Sequence, residues 1–215
     1  MKKFTFVMMF LGIFFLVGMV TVTGKANATV VSLFGDKDGF GLAGAPAVPA
    51  NGTLWESDLG GIFFQDYRDA SEKAANLFTD IWGNPGSFSF NLTYSLGSLT
   101  PTSATLGIQI AGIHDINTKT IYNLQVDGTT VGQIPANYDA YAYQEVELYS
   151  FNVPLNLLGG SNVVSLSGTG GDGYDINFAE LDIQTSTSPV PEPATMMLLG
   201  LGLVGLAGAR RKFKK

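Results

Sequence analysis

The chain of 215 residues carries 12 Lys+Arg, 18 Asp+Glu, one His and no Cys, for a net charge of −6. Residues 1–28 hold three lysines and no acid, residues 189–215 hold five basic residues and one Glu, and residues 29–188 keep 4 basic and 17 acidic side chains, a net of −13. So acidic a body repels phosphate, which excludes nucleic acid as a partner, and the lack of Cys excludes disulfides, thiolate zinc sites and iron–sulfur clusters.

Lys2 and Lys3, the apolar run 4–22 and the ending Ala26-Asn27-Ala28 have the layout of a secretory signal peptide, with cleavage predicted after Ala28. The run is long for a signal, so an uncleaved N-terminal anchor is the alternative. In both cases the following residues are exported, and the partners implied at this end are the Sec translocon and signal peptidase. Lys2 and Lys3 stay on the cytoplasmic side.

The body is of single-domain length, enough to bury roughly 70% of the surface its unfolded chain exposes. Its main signal is two-residue alternation broken by Gly, Pro, Asn and Asp. Strands are predicted at 30–34, 62–66, 87–96, 105–110, 162–167 and 176–183. Leu124 and Val126 alternate as well, Asp127-Gly128 supplies a tight turn, and 129–134 returns as the partner strand. In 145–153 the apolar parity changes from Val146 and Leu148 to Phe151 and Val153, which predicts a bulge near Tyr149 or Ser150. Only 69–78 reads as helical, with Ala70, Ala74, Leu77 and Phe78 on one face. The fold class expected is all-β, a two-sheet sandwich or jelly roll with one short helix.

Acids and glycines cluster twice, in Asp36-x-Asp38-Gly39 and in Gly170-Gly171-Asp172-Gly173-Tyr174-Asp175. Oxygen-only donors of this kind suit Ca2+, a hard cation. An EF-hand is excluded, because Gly39 falls at the fourth position and the later Glu is missing. The second run opens like a calcium-binding nonapeptide, but Asn177 stands where a large apolar residue belongs, and the run occurs once. Because the first and last strands of a sandwich often adjoin, Asp36 and Asp38 are expected to meet Glu180 and Asp182, which share one strand face. Solvated turn carboxylates on an acidic protein are the alternative. No other cofactor is implied.

Tyr138, Tyr141 and Tyr143 crowd one segment, and Trp55 and Trp82 stand in turn-rich surroundings. Aromatic faces beside carboxylates and amides can bind sugar rings, so the tyrosines form a candidate carbohydrate platform. The alternative makes the tryptophans core caps and the tyrosines the cover of an edge strand. His114 follows a strand, and no G-x-S-x-G motif accompanies it, which argues against a Ser-His-Asp triad. Paired carboxylates of a glycosidase are not fixed by sequence.

The chain closes on Pro189-Val190-Pro191-Glu192-Pro193, sixteen apolar or small residues at 194–209, and Arg210-Arg211-Lys212-Phe213-Lys214-Lys215. Sixteen helical residues span about 24 Å, short of a ~30 Å hydrocarbon core but tolerable when the basic cluster snorkels. A short transmembrane helix with a cytoplasmic tail of Arg210, Arg211, Lys212, Lys214 and Lys215 is predicted. The tripartite order, with Val190, Pro191, Glu192 and Pro193 leading, resembles the PEP-CTERM sorting signal. That resemblance implies a bacterium with an exopolysaccharide-rich envelope and an exosortase that recognises Pro191, Glu192 and Pro193 and cuts nearby. The two prolines hold this stretch extended and accessible. The body also resembles β-sandwich ectodomains of PEP-CTERM proteins, through 34–40 and through Asp172-Gly173 before the final strand.

The organisation expected is a signal peptide at 1–28, a β-sandwich ectodomain at 29–187 and a sorting or anchor segment at 188–215. The function expected is that of an exported envelope or matrix protein, non-enzymatic, with a structural, adhesive or polysaccharide-binding role. It would be held transiently in the inner membrane and then pass to the cell surface or extracellular matrix. A secreted glycan hydrolase and an uncleaved single-pass membrane protein are the competing readings.

Overall fold

The computed structural model describes residues 27–83, 86–113, 121–135, 144–168, 173–187 and 200–203. Asn27–Ser186 forms one compact unit. Its strands are β1 (Asn27–Gly35), β2 (Phe88–Thr93), β3 (Thr100–Ala111), β4 (Ile121–Val126), β5 (Thr129–Pro135), β6 (Val146–Asn152), β7 (Ser161–Ser167) and β8 (Asp175–Ser186). They pair antiparallel in two four-stranded sheets, β1-β8-β3-β6 and β2-β7-β4-β5. This is the strand order of an eight-stranded jelly roll.

Alternation explains the core. Leu106, Ile108 and Ile110 of β3 and Leu181 and Ile183 of β8 face Leu92 of β2, Leu124 of β4 and Leu166 of β7 between the sheets. Each such side chain, taken fully from water, contributes about 1.5–3 kcal/mol. The β4–β5 hairpin turns at Asp127 (φ 48°) and Gly128 (φ 76°), as predicted. Left-handed backbone at both positions is what a two-residue turn between twisted strands requires. Asp127 also accepts the Val163 N–H at 2.8 Å and the Asn162 amide at 2.6 Å, tying the turn to β7.

A second apolar cluster, Phe40, Leu42, Trp55, Trp82, Ala111 and Val146, covers the opposite face of the first sheet. The long β1–β2 connection supplies most of it. It is stitched to the sheet by Gly52 N–H to Val146 O (2.9 Å), Val146 N–H to Thr53 O (2.9 Å), and Gln109 Nε2 to Pro49 O (2.8 Å). Asn51, the first residue of a glycosylation-like triplet, uses its side-chain oxygen to accept the Leu148 N–H at 2.9 Å.

Three local expectations are corrected. Residues 62–66 do not form a strand: Phe64 has φ 63° and is 84% exposed, and only an isolated Asp66–Ile81 bridge is made. No bulge occurs in β6, whose register with β3 runs unbroken from Ala111–Val146 to Thr105–Asn152. The parity change arises because Val146 belongs to the second cluster while Tyr149, Phe151 and Val153 pack on the first. The bulge lies in β8 instead, where Asn177 is passed over between the Gln109–Phe178 and Ile110–Ile176 pairs. The helix, α1 (Ala70–Ala75), is shorter than expected and buries Glu72 rather than an alanine face. Asp69 and Glu72 form a reciprocal capping box at its start, and Asn76 in the left-handed region ends it.

Residues 200–203 are helical. The remainder of the predicted C-terminal helix, and the segment 1–26, lie outside the described residues. Among the described residues no helix is long and apolar enough to cross a membrane.

Candidate metal centre

β1 ends at Gly35, whose φ of 72° turns the chain inward. A Cβ there would stand 2.6 Å from Thr79 Cγ2 and 2.8 Å from Asn177 O, so only glycine admits this approach. The loop that follows is fixed by Gly41 N–H to Asp38 Oδ1 (2.8 Å) and by Phe40 N–H to Asn177 Oδ1 (3.1 Å). Asn177 is buried in the β8 bulge, and its Nδ2 donates to Gln109 Oε1 at 2.7 Å and Ala47 O at 3.1 Å. One amide thus joins the loop to β3 and β8.

Asp36 and Asp38 are thereby presented to Asp80, and carboxylate oxygens of the three residues lie within 4.8 Å of one another. Asp80 is fully buried, in left-handed backbone (φ 53°), and neither of its carboxyl oxygens has a hydrogen-bond partner. Its main chain is held by Asp80 N–H to Ile176 O (3.0 Å) and Tyr67 N–H to Asp80 O (2.8 Å). Asp175, at the base of β8, is also fully buried, and neither carboxyl oxygen makes a hydrogen bond of good geometry.

Crowding of like charge in a poorly solvated place shifts these groups. Burial, and then the neighbouring carboxylate of Asp175, push Asp80 up to about 10. Burial followed by Asp38 pushes Asp36 up to about 6. Burial drives Asp175 well above the ordinary carboxylate range, with the N–H groups of Ile81 and Ile176 acting in the opposite sense. Glu72 adds charge from behind, although its own oxygens are occupied by Thr79 Oγ1 (2.5 Å) and the Asp69 N–H (3.0 Å).

The expected quartet divides. Glu180 does not join Asp36 and Asp38: its Oε2 lies 2.6 Å from Lys37 Nζ, on a face where Asp182 is its neighbour. The premise that brought them together does hold, since β1 pairs with β8. Strand parity puts Glu180 and Asp182 on one face of β8, whereas Asp36 meets Asp38 and Asp80 instead. The sequence reading missed Asp80 and Asp175. Their only signal was an acid with apolar or aromatic neighbours, Asp80 before Ile81-Trp82 and Asp175 between Tyr174 and Ile176.

Of the other candidates, Trp55 and Trp82 are buried and offer no face to a sugar. Tyr138, Tyr141, Tyr143 and His114 lie outside the described residues, as do Ala26, the sorting residues 190–193 and the basic tail 210–215. Ala28 is exposed at the start of β1 and accepts a hydrogen bond from Thr185 Oγ1 at 2.8 Å.

The segment carrying Asp80 is braced by Arg68, which binds both Asp66 oxygens (2.9 Å each) and Leu77 O (2.8 Å). Hydrogen bonds from Arg68 hold the Asp66 carboxyl below its usual value. A depressed carboxyl contributes stability above its unfolded pKa and loses it as pH falls through its folded value. Urea titrations of wild type and Arg68→Met are therefore expected to differ more at pH 7 than at pH 3. The difference that remains in acid reflects the lost Leu77 contact.

Residues 189–212 match the family description "PEP-CTERM protein-sorting motif". The motif implies export and membrane-associated sorting along an exosortase-dependent pathway. No curated protein matches the chain. Among solved structures, it is similar to BuGH86wt in complex with neoagarooctaose (19% identity, TM-score 0.35, covering 49% of this chain). It is also similar to dimeric latent PorU from Porphyromonas gingivalis (8% identity, TM-score 0.44, 75% of this chain). A family 35 carbohydrate binding module from Clostridium thermocellum is matched at 9% identity and TM-score 0.33, over 73% of this chain and 97% of the module. The chain spans only 17% and 13% of the lengths of the first two.

Proposed function

We propose that this is a non-enzymatic jelly-roll protein of the cell surface or extracellular matrix, released there when its C-terminal signal is processed, with a structural, adhesive or polysaccharide-binding role. One observation carries the reading: β8, which completes the sandwich, ends at Ser186, and the sorting motif starts at residue 189. An enzyme acting near Pro191-Glu192-Pro193 would free a whole domain. The export route runs through the Sec translocon and signal peptidase. The acidic, Cys-free composition fits a soluble domain outside the cell, where divalent cations can bridge it to anionic polymers.

Mass spectrometry of the protein recovered from native cells tests this directly. The mature C-terminus is expected near residues 190–193 in the surface or matrix fraction, and Glu192→Ala is expected to keep the tail and the membrane association. An intact tail on surface-located wild type would overturn the release step in favour of a single-pass membrane protein. Hydrolysis of a polysaccharide by the purified protein, lost on substituting one carboxylate, would overturn the non-enzymatic role. Binding to an extracted polysaccharide that weakens in Tyr141→Ala and Tyr143→Ala supports the tyrosine platform, and binding that survives both removes it.

A further inference from the structure

The body contains four basic residues, of which Lys37, Arg68 and Lys73 are described. All three are engaged elsewhere: Lys37 with Glu180, and Arg68 and Lys73 with Asp66. Among the described residues no cationic side chain therefore pairs with the knot formed by Asp36, Asp38 and Asp80, while Asp80 sits fully buried with both oxygens unpartnered. Ionised carboxylates withdrawn from water cost several kcal/mol each unless a positive charge compensates them. The chain does not supply that charge.

We propose that Asp36, Asp38 and Asp80 bind a Ca2+ ion that clamps the end of β1 and the segment before β2 against the base of β8. Two oxygens bound to one calcium at about 2.4 Å can be no more than roughly 4.8 Å apart, and the three carboxylates meet that limit. The donors are all hard oxygens, and the chain has no Cys and one His, so a soft or borderline transition metal finds no suitable ligands. Asp38 is exposed, which leaves one side open to the waters that complete a coordination number of six to eight. The ligands come from positions as far apart as 36 and 80, and Asp80 is itself hydrogen-bonded to β8 through Ile176 O. The ion thereby fastens the first strand, the long connection and the last strand together, so its binding is coupled to global stability.

The site is independent of the sorting reading, and its test needs no cellular readout. The full-length protein in mild detergent, stripped with chelator, is melted by calorimetry with CaCl2, with MgCl2 and without added metal. Calcium at a hundredfold excess over its Kd is expected to raise Tm by about 5–10 °C, with magnesium giving little. Asp80→Asn replaces the buried carboxyl with an isosteric amide, so it is expected to melt close to wild type in chelator and to lose the calcium shift. Asp38→Asn, at an exposed position, is expected to melt like wild type in chelator and to move the calcium titration at least tenfold to higher concentration. No shift for wild type at 1 mM calcium, an equal shift with magnesium, or a full shift retained in Asp80→Asn would each overturn the proposal.

Discussion

Asn177→Leu is expected to be among the most damaging single substitutions in the domain, although it would improve the local resemblance to a calcium-binding nonapeptide. The side chain is buried and makes three hydrogen bonds, to Phe40 N–H, Gln109 Oε1 and Ala47 O. Leucine fills a similar volume but strands all three partners. An unsatisfied buried polar group costs about 1–3 kcal/mol, so a total loss on the order of 3–5 kcal/mol is expected after partial relaxation. At about 2–4 °C per kcal/mol, Tm falls by roughly 6–20 °C. Thermal melts monitored by far-UV circular dichroism measure this. A double substitution with Gln109→Leu is expected to cost clearly less than the sum of the two single ones, because removing both members of a buried pair leaves fewer orphans. A loss below about 1 kcal/mol for Asn177→Leu would mean that the bulge does not depend on its amide.

Trp55→Ala is expected to cost about 3–5 kcal/mol. Trp55 is the largest fully buried side chain, and it packs on Trp82 (5.0 Å between ring centroids), Phe63 (5.7 Å) and Tyr67 (6.3 Å). Gly61 lies so close that a Cβ there would stand 2.5 Å from the indole. Truncation therefore opens a cavity in the second cluster that the rigid sheet cannot close. The indole N–H is buried without a partner, so Trp55→Phe gives up surface but relieves an unmet donor, and is expected to cost less than half as much. Urea unfolding followed by circular dichroism separates the two variants, since indole fluorescence changes with the substitution itself. If Trp55→Ala left stability unchanged while abolishing binding to a polysaccharide, the residue would be a ligand contact and not a core cap.

The sheet-forming segments and the β4–β5 turn were legible because strand periodicity and left-handed turn residues are local properties of Leu106 to Ile110, Leu124, Val126 and Asp127-Gly128. The parity change at Val146 was legible too, but its cause was not. A bulge and a change of core give the same pattern along one strand, and only the second cluster on the far face of the sheet distinguishes them. The candidate site was half legible. Asp36 and Asp38 advertise themselves by a turn-like spacing with glycine, and the adjacency of first and last strands follows from sandwich architecture. Glu180 was drawn in by that adjacency, yet Lys37, one residue from Asp36, claims it.

By itself the sequence determined the tripartite tail, the all-β class and the excess of acid over base in the body, since each depends on composition, order or short-range periodicity. The tertiary structure alone decided which acids meet. Asp80 is brought to Asp36 by a left-handed backbone position, by a hydrogen bond to Ile176 across β8 and by a glycine that lets Thr79 approach. Contacts between residues so distant along the chain leave no periodic trace in it. Their energy comes from shared burial, which no local pattern encodes.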